Sequence, residues 1–282
     1  MTGQRVLVTG ASGFVGRHVV RQLQSGGYDA VESAVRLDEI ESTAPKADFV
    51  IHLAATGVIP GTDPADVIAT NVTGTVNVLR AAARAGARRM VIAGSGFEYG
   101  EGGAVSEDAL PRPRSVYAAS KVAATVLAQS LAPALGVEVV TLRPFMVYGP
   151  GERPDRLLPS LVDACLSGRS LDLTPGMQVR DFVHVIDVAQ AFLLALTAPA
   201  AGEVVNIASG KPTTVHDVAV LVNETCGGIG RLNFGALPYR DDEVWDIWGD
   251  ITKARELLGW APAIDLGSGI AELVSAARER HG

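Results

Sequence analysis

The sequence predicts an α/β fold, a doubly wound parallel sheet followed by a smaller C-terminal lobe, and three observations predict it. The chain opens on an apolar run, Val6-Leu7-Val8, that turns through three glycines into an amphipathic segment. Strand-like and helix-like segments then alternate through the first half, as parallel strands joined by crossover helices require. At 282 residues, 48% hydrophobic and 20% charged, the chain has a globular composition and length enough for a large core.

The opening unit carries the most information. Val6-Leu7-Val8-Thr9 suits a buried parallel strand, and beyond the glycines Val15, Val19, Val20 and Leu23 fall on one helical face. Between them lies Gly10-Ala11-Ser12-Gly13-Phe14-Val15-Gly16, a G-x-x-G-x-x-G spacing one residue longer at its start than G-x-G-x-x-G. A strand, a glycine turn and a helix N-terminus together form a site for a diphosphate, because free N–H groups and the positive helix end face the anion. Gly10 permits the tight turn, Gly13 lets phosphates approach the backbone, and Gly16 lets the helix pack on the strand. The alternative reading is a tight turn with no ligand; its place as the first strand-to-helix connection favours the nucleotide site.

The next segments continue the alternation. A strand is expected around residues 28–36, another over 48–55, a long helix over 66–85 and a strand over 89–93. A helix over 117–135 and a strand over 137–142 follow. The short stretch before Asp48 leaves room for only a reduced crossover helix. Residues 1–150 therefore read as the dinucleotide-binding domain, with 180–190 returning to it, and 151–282 mainly as a second lobe. In that lobe helices are expected near 157–168, 187–196 and 215–224, with extended segments at 180–185 and 204–207.

Composition excludes several classes. A formal net charge of -7 argues against a nucleic-acid binder, which needs a basic face. No apolar run approaches the ~20 residues that span a bilayer. The two cysteines, Cys165 and Cys226, lack metal-ligand spacing, so reduced buried thiols and no metal site are expected. The N-terminus enters a strand almost at once, which leaves no room for a signal peptide and predicts a cytoplasmic protein.

Tyr117-Ala118-Ala119-Ser120-Lys121 is the second informative constellation. Four residues apart on a helix, Tyr117 and Lys121 share a face, and an ammonium near a phenol lowers its pKa toward usable acid–base chemistry. Alone, Y-x-x-x-K describes a surface pair; about a hundred residues after a nucleotide turn it points to a reaction centre.

Here the sequence resembles the extended short-chain dehydrogenase/reductase family, particularly its nucleotide-sugar epimerase, dehydratase and ketoreductase members. The resemblance rests on the glycine turn, His52-Leu53-Ala54-Ala55, Asn71-Val72-Thr73-Gly74-Thr75, Ser95 with Tyr99-Gly100, and Tyr117 with Lys121. It continues through Arg143-Pro144-Phe145, Val147-Tyr148-Gly149-Pro150, Arg180-Asp181-Phe182-Val183-His184-Val185, Asn206–Pro212 and Leu258-Gly259-Trp260. It implies a Rossmann-like domain in which Gly10, Ser12, Gly13, Phe14, Val15, Gly16, Leu53, Ala54, Ala55, Pro144 and Phe145 line the nicotinamide dinucleotide. Tyr117 is then the acid/base, Lys121 tunes it and holds the nicotinamide ribose, and Ser95 hydrogen-bonds the reacting sugar oxygen. Asn71 supports the site through neighbouring backbone; a helix N-cap is its alternative reading. On the substrate side the resemblance assigns Arg180 and Arg240 to the nucleotide diphosphate, which guanidinium groups chelate in bidentate fashion, and Glu243 to the ribose. His184 reads as a core residue. Two long helices, 66–85 and 117–135, are expected to join a homodimer, by analogy alone.

Departures from the family narrow the reaction. Dehydratases of the family carry Asp and Glu after the serine or threonine; here Gly96 and Phe97 stand there, and neither transfers a proton. The stretch from Gly94 to Gly100 instead looks like NDP-4-keto-6-deoxyhexose reductases, with Phe97 an apolar wall for a 6-deoxy methyl group or simply core packing. Met146 replaces an asparagine found in many epimerases, which removes a polar contact to substrate. If the second strand ends at Arg36, its guanidinium favours NADP(H); if it ends near Glu32 or Ser33, NAD(H) is possible and Asp38 sits near the adenine. NADP(H) is the favoured expectation. The sequence therefore predicts an NAD(P)-dependent reductase of a nucleoside-diphosphate 4-keto-6-deoxyhexose, with a 4-epimerase holding NAD as the alternative. A non-catalytic sensor on the same fold is the reading from another class, opposed by intact Ser95, Tyr117 and Lys121.

Overall fold

The computed structural model describes residues 3–57, 61–241 and 243–281. β1 (Arg5–Thr9) turns into α1 (Phe14–Ser25), followed by β2 (Asp29–Ser33), a one-turn α2 (Ile40–Thr43) and β3 (Phe49–His52). Next come α3 (Pro64–Ile68), α4 (Gly74–Ala85) and β4 (Arg89–Ala93), then β5 (Gly103–Val105), α5 (Val116–Leu135), β6 (Glu138–Pro144) and β7 (Met146–Tyr148). The rest comprises α6 (Leu157–Leu166), β8 (Ser170–Leu173), β9 (Val179–His184), α7 (Val185–Ala195), β10 (Val204–Ile207) and β11 (Pro212–Thr214). It closes with α8 (Val215–Cys226), β12 (Arg231–Phe234), β13 (Ile247–Gly249), α9 (Thr252–Leu258) and α10 (Leu266–His281).

Six parallel strands form the main sheet in the order β2-β1-β3-β4-β6-β10. Successive strand residues point to opposite faces, and both faces are covered. Val6 and Val8 pack with Val19, Leu23 and Phe192 of α1 and α7, whereas Leu7 packs with Val78, Leu79 and Ala128 of α4 and α5. The unbroken apolar run of β1 follows from this two-sided burial. Strand order reverses beside β1, between β2 and β3, so a crevice opens at their C-terminal ends. That switch point is where open α/β sheets bind ligands.

The C-terminal lobe has its own core, built from Leu161, Val162, Phe182, Val218, Val222 and Leu273 of α6, β9, α8 and α10. β7, β9 and β11 form one small sheet, β8 pairs with β12, and β5 pairs with β13. Among the described residues no helix is long and apolar enough to cross a membrane. Cys165 and Cys226 are buried free thiols.

The structure departs from the sequence reading at four places. The expected 66–85 helix begins as α3 and is widened by one π-turn, Ala69–Thr73, before α4. The second strand stops at Ser33, paired with Thr9, and not at Arg36. Within 180–190 it is α7, from Val185, that lies against the main sheet's layer by packing on α1; β9 pairs with β7 and β11, and β10 is the strand that joins the sheet. Short strands β8, β12 and β13 were not expected, although Ser170–Leu173 and Arg231–Phe234 alternate polar and apolar residues over four positions.

Candidate active site

The glycine turn fits the role its spacing predicts. Gly10 has φ +72°, and a Cβ there would stand 2.5 Å from the Ala54 nitrogen. At Gly16 a Cβ would stand 2.1 Å from the Gly10 carbonyl oxygen, so only glycine lets α1 lie this close to the turn. Gly13 is the N-cap of α1, no side chain caps the helix, and its first turn holds no acidic residue. Ser12 and Gly13 are exposed, with Phe14 and Val15 half-buried behind them. Uncapped N–H groups at an exposed helix N-terminus fit a diphosphate. Leu53, Ala54 and Ala55 continue from β3 beside this turn, and Leu53 N–H donates to the Thr9 carbonyl at 3.1 Å.

Asn71 explains the π-turn. Its backbone is helical, so it is not an N-cap; its side chain reaches across to the segment after β3. Thr56 N–H donates to Asn71 Oδ1 at 2.8 Å, while Asn71 Nδ2 donates to the Thr56 carbonyl at 3.0 Å and to Ser120 Oγ at 2.9 Å. Ser120 Oγ donates in turn to the Tyr117 carbonyl at 2.7 Å. One buried amide thus fixes the nucleotide-side loop to the helix that carries Tyr117, and π-bulges often mark functional sites.

The groups that the sequence assigns to the reaction converge from two elements, the turn after β4 and α5. Ser95 follows β4 and caps a single 3₁₀ turn, Gly96–Tyr99, by accepting the Phe97 N–H at 3.2 Å. Tyr117 lies in the first turn of α5, N-capped by Ser115, with its phenol close enough to the Ser95 side chain to be influenced by it. Lys121, one turn on, is 7% exposed; its Nζ donates to the Ala93 carbonyl at 2.9 Å and lies 5.8 Å from the Tyr117 ring centroid.

The electrostatics correct one expectation. Burial pushes the Tyr117 phenol up, offset in part by the Ser95 side chain; a nearby Glu98 charge adds to the rise and Arg156 opposes it. The ammonium does not dominate, since Lys121 lies over the ring face and donates a hydrogen bond to Ala93. Burial instead pulls Lys121 down to about 8, with Glu98 holding it up. Tyr117 is therefore held in its proton-bearing form. His52 is a core residue between Thr9 and Thr75, driven down to about 3 by burial.

A shallow cleft opens next to Ser95, lined by Gly96, Phe97, Phe145, Met146, Arg180, Asp181 and Ile247. It gathers most of the substrate-side residues expected from sequence, together with Phe145, which had been placed with Pro144 on the cofactor. Phe145 stacks on Tyr99 at 6.4 Å, and a Cβ on Gly96 would strike its ring at 2.8 Å. Gly96 thus lets the aromatic ring form the cleft floor.

Arg180 and Glu243 meet each other in this structure. Arg180 Nη2 lies 2.5 Å from Glu243 Oε1, and its Nη1 donates to the Val244 and Val179 carbonyls at 2.6 and 2.8 Å. Arg240 is exposed and close enough to lower Arg180 further. Arg36 is also exposed, paired with Asp38 at 3.1 Å beyond the end of β2.

Sequence reasoning missed Asp181, Glu98 and Arg143. Asp181, 1% exposed, accepts the Ser209, Gly210 and Gly249 N–H groups and so ties β9 to the loop after β10 and to β13. Glu98 and Arg143 form a buried ion pair at 2.8 Å behind Ser95. Only Glu98 left a local signal, the S-x-x-E capping pattern.

A dinucleotide turn, a Tyr–Lys pair and a serine at the C-terminal edge of one parallel sheet define a nicotinamide-dependent oxidoreductase of the Rossmann class. Residues 6–208 match the NAD dependent epimerase/dehydratase family, and the chain belongs to it, within the extended short-chain dehydrogenases/reductases. Two curated relatives illustrate its breadth. The putative UDP-glucose 4-epimerase of Methanocaldococcus jannaschii is 32% identical, covering 96% of this chain and 97% of its own. The GDP-6-deoxy-D-mannose reductase of Pseudomonas aeruginosa is 29% identical, covering 96% of each. Among solved structures, MoeE5 in complex with UDP-glucose and NAD superimposes with a TM-score of 0.91 at 32% identity, covering 99% of this chain and 100% of its own. RMD from Pseudomonas aeruginosa complexed with NADPH gives 0.89 at 27%, covering 98% and 99%.

Proposed function

We propose that the protein reduces a nucleoside-diphosphate 4-keto-6-deoxyhexose at C4. The observation that carries this reading is the pairing of a proton-bearing Tyr117 with a cleft whose wall is apolar and free of carboxylates at 96 and 97. Water elimination needs an acid and a base at those positions, and Gly96 and Phe97 supply neither. Phe97, Met146 and Ile247 suit a methyl group better than a hydroxymethyl one. A reduced nicotinamide dinucleotide, its diphosphate held at the glycine turn and its nicotinamide ribose by Lys121, would supply the hydride for the new C4–H bond. Ser95 hydrogen-bonds the carbonyl oxygen and polarises it, and Tyr117 gives its proton to that oxygen as the C=O π bond opens. Lys121 steadies the tyrosine from below. Arg180 and Arg240 take the diphosphate, with Glu243 released from Arg180 to accept from the ribose.

A second reading, a 4-epimerase holding NAD, is favoured by the end of β2 at Ser33 and by the epimerase among the relatives. Arg36, exposed three residues on, supports NADP(H) instead. Exposed Ile68, Val126 and Leu127 on α3 and α5 support a homodimer through those helices.

The test is oxidation of NADPH or NADH by purified protein given dTDP-4-keto-6-deoxyglucose. Stoichiometric oxidation supports the reductase, and a loss of NADPH preference in Arg36→Ala assigns that arginine to the 2′-phosphate. No oxidation, with NAD retained through purification and UDP-hexoses interconverted, replaces it with the epimerase.

A further inference from the structure

The Glu98–Arg143 pair lies behind the cleft, and nothing in the proposed reaction uses it directly. Glu98 is fully buried and Arg143 is 4% exposed. Glu98 Oε1 accepts the Ser95 N–H at 2.8 Å, while Oε2 takes Arg143 Nε at 2.9 Å and Nη2 at 2.8 Å. Arg143 rises from β6 and lies over the Tyr99 ring at 4.6 Å; Tyr99 donates to Asn206 Oδ1 of β10 at 2.7 Å. Gly94 makes room for the pair, since a Cβ there would stand 2.6 Å from Glu98 Oε1 and 3.1 Å from Arg143 Cγ.

Stability does not explain this arrangement. Burying two ions carries a desolvation penalty that apolar residues of similar volume avoid. Capping the 3₁₀ turn needs only an acceptor at residue 98, which glutamine would supply without Arg143. The charge itself distinguishes Glu98, and it faces the reacting groups from behind. Glu98 is felt by Lys121 and Tyr117 of α5, raising both, while burial pushes its own carboxyl up and Arg143 of β6, the Ser95 N–H and Lys121 oppose that rise. The other groups facing this pair are Ser95 and Arg156 toward Tyr117, and neutral His52 of β3 toward Lys121.

We propose that Glu98, clamped by Arg143, is a positioning residue that sets the Ser95 loop against the reacting oxygen and supplies the buried negative charge facing the Tyr117–Lys121 pair. The proposal rests on the reading of Tyr117 as proton donor. With the charge in place the proton stays on Tyr117 until a substrate oxygen demands it. Without it, Tyr117 and Lys121 both lose protons more readily.

The test uses full-length protein carrying ¹³Cζ-tyrosine, with the Tyr117 resonance assigned by its absence in Tyr117→Phe. In Glu98→Gln the Tyr117 ionisation constant rises about tenfold, seen as a larger ionised fraction at about pH 10. The alkaline limb of kcat/KM for the keto sugar moves to lower pH in the same variant. Because Glu98→Gln leaves Arg143 unpaired, the double variant Glu98→Gln/Arg143→Met, which buries no lone charge, is measured beside it and shows the same rise. An unchanged Tyr117 titration in both, with only a lowered melting temperature, overturns the proposal and leaves the pair a structural brace. A raised ionisation constant in a protein that reduces no keto sugar supports the placement of the charge and overturns the reductase reading instead.

Discussion

Lys121 lies over the face of the Tyr117 ring, 5.8 Å from its centroid, and its Nζ donates a hydrogen bond to the Ala93 carbonyl at 2.9 Å. The ammonium therefore anchors α5 to the end of β4 as well as facing the phenol. Burial lowers Lys121 to about 8. The charged form prevails below that value and is lost as pH rises through it. The pH profile of kcat/KM, which reports the free enzyme, is expected to fall on its alkaline side with an apparent pKa near 8. A profile flat to well above that value would contradict the placement of Lys121 as an active ammonium.

The glycine turn is specified by atomic contact. Gly16→Ala places a methyl 2.1 Å from the Gly10 carbonyl oxygen, which is backbone and cannot swing away. Overpacking of this kind costs about 1–3 kcal/mol. Calorimetry should show a lowered melting temperature, and nucleotide titration a Kd raised at least about tenfold, since the uncapped N–H groups move with the helix.

Asn71→Ala leaves the Thr56 N–H and carbonyl without their partner and frees Ser120. Each orphaned buried group costs about 1–3 kcal/mol. Chemical denaturation should show that loss, and kcat should fall with it because the loop after β3 and the Tyr117 helix are no longer tied. Asn71→Asp, which keeps the acceptor but not the donors, should recover only part of the stability.

Glu152 stands 3.5 Å from Arg156, yet burial pushes its carboxyl up to about 7. A carboxyl raised above its ordinary value of 4.5 binds its proton in the folded state first, so stability falls as pH rises between 4.5 and 7. Glu152→Gln removes the penalty. It should stabilise the protein by about 1–3 kcal/mol at pH 8 and leave it unchanged or weaker at pH 4. Melting curves of both proteins at the two pH values check this, and equal differences at both would contradict it.

What the sequence made legible follows from how local each signal was. The turn from Gly10 to Gly16 and the Tyr117–Lys121 pair are short-range patterns, and the structure sets them at the C-terminal ends of β1 and β4 of one parallel sheet. Glu98 left only its S-x-x-E capping pattern, and its pairing with Arg143 was invisible because the two are 45 residues apart and meet only where β4 lies beside β6. Arg180 and Glu243 were each singled out for a ligand, but their contact spans 63 residues and no spacing announces it. The π-turn at 69–73 left no mark either, because the apolar rhythm of 66–85 runs through it unbroken. The sequence left the end of β2 open between Ser33 and Arg36 because Ala34 and Val35 continue its apolar pattern; the pairing with β1 stops at Ser33.

The most direct test of the central claim is to follow deuterium from nicotinamide to sugar. Wild type and Tyr117→Phe are incubated with dTDP-4-keto-6-deoxyglucose and NADPH or NADH deuterated at the transferring position. The recovered sugar is then read by NMR. The account predicts one deuterium at C4 per nucleotide oxidised in wild type, and a rate lower by about 10²–10⁴ in Tyr117→Phe with nucleotide still bound. An unlabelled C4, or a Tyr117→Phe variant as fast as wild type, would contradict it.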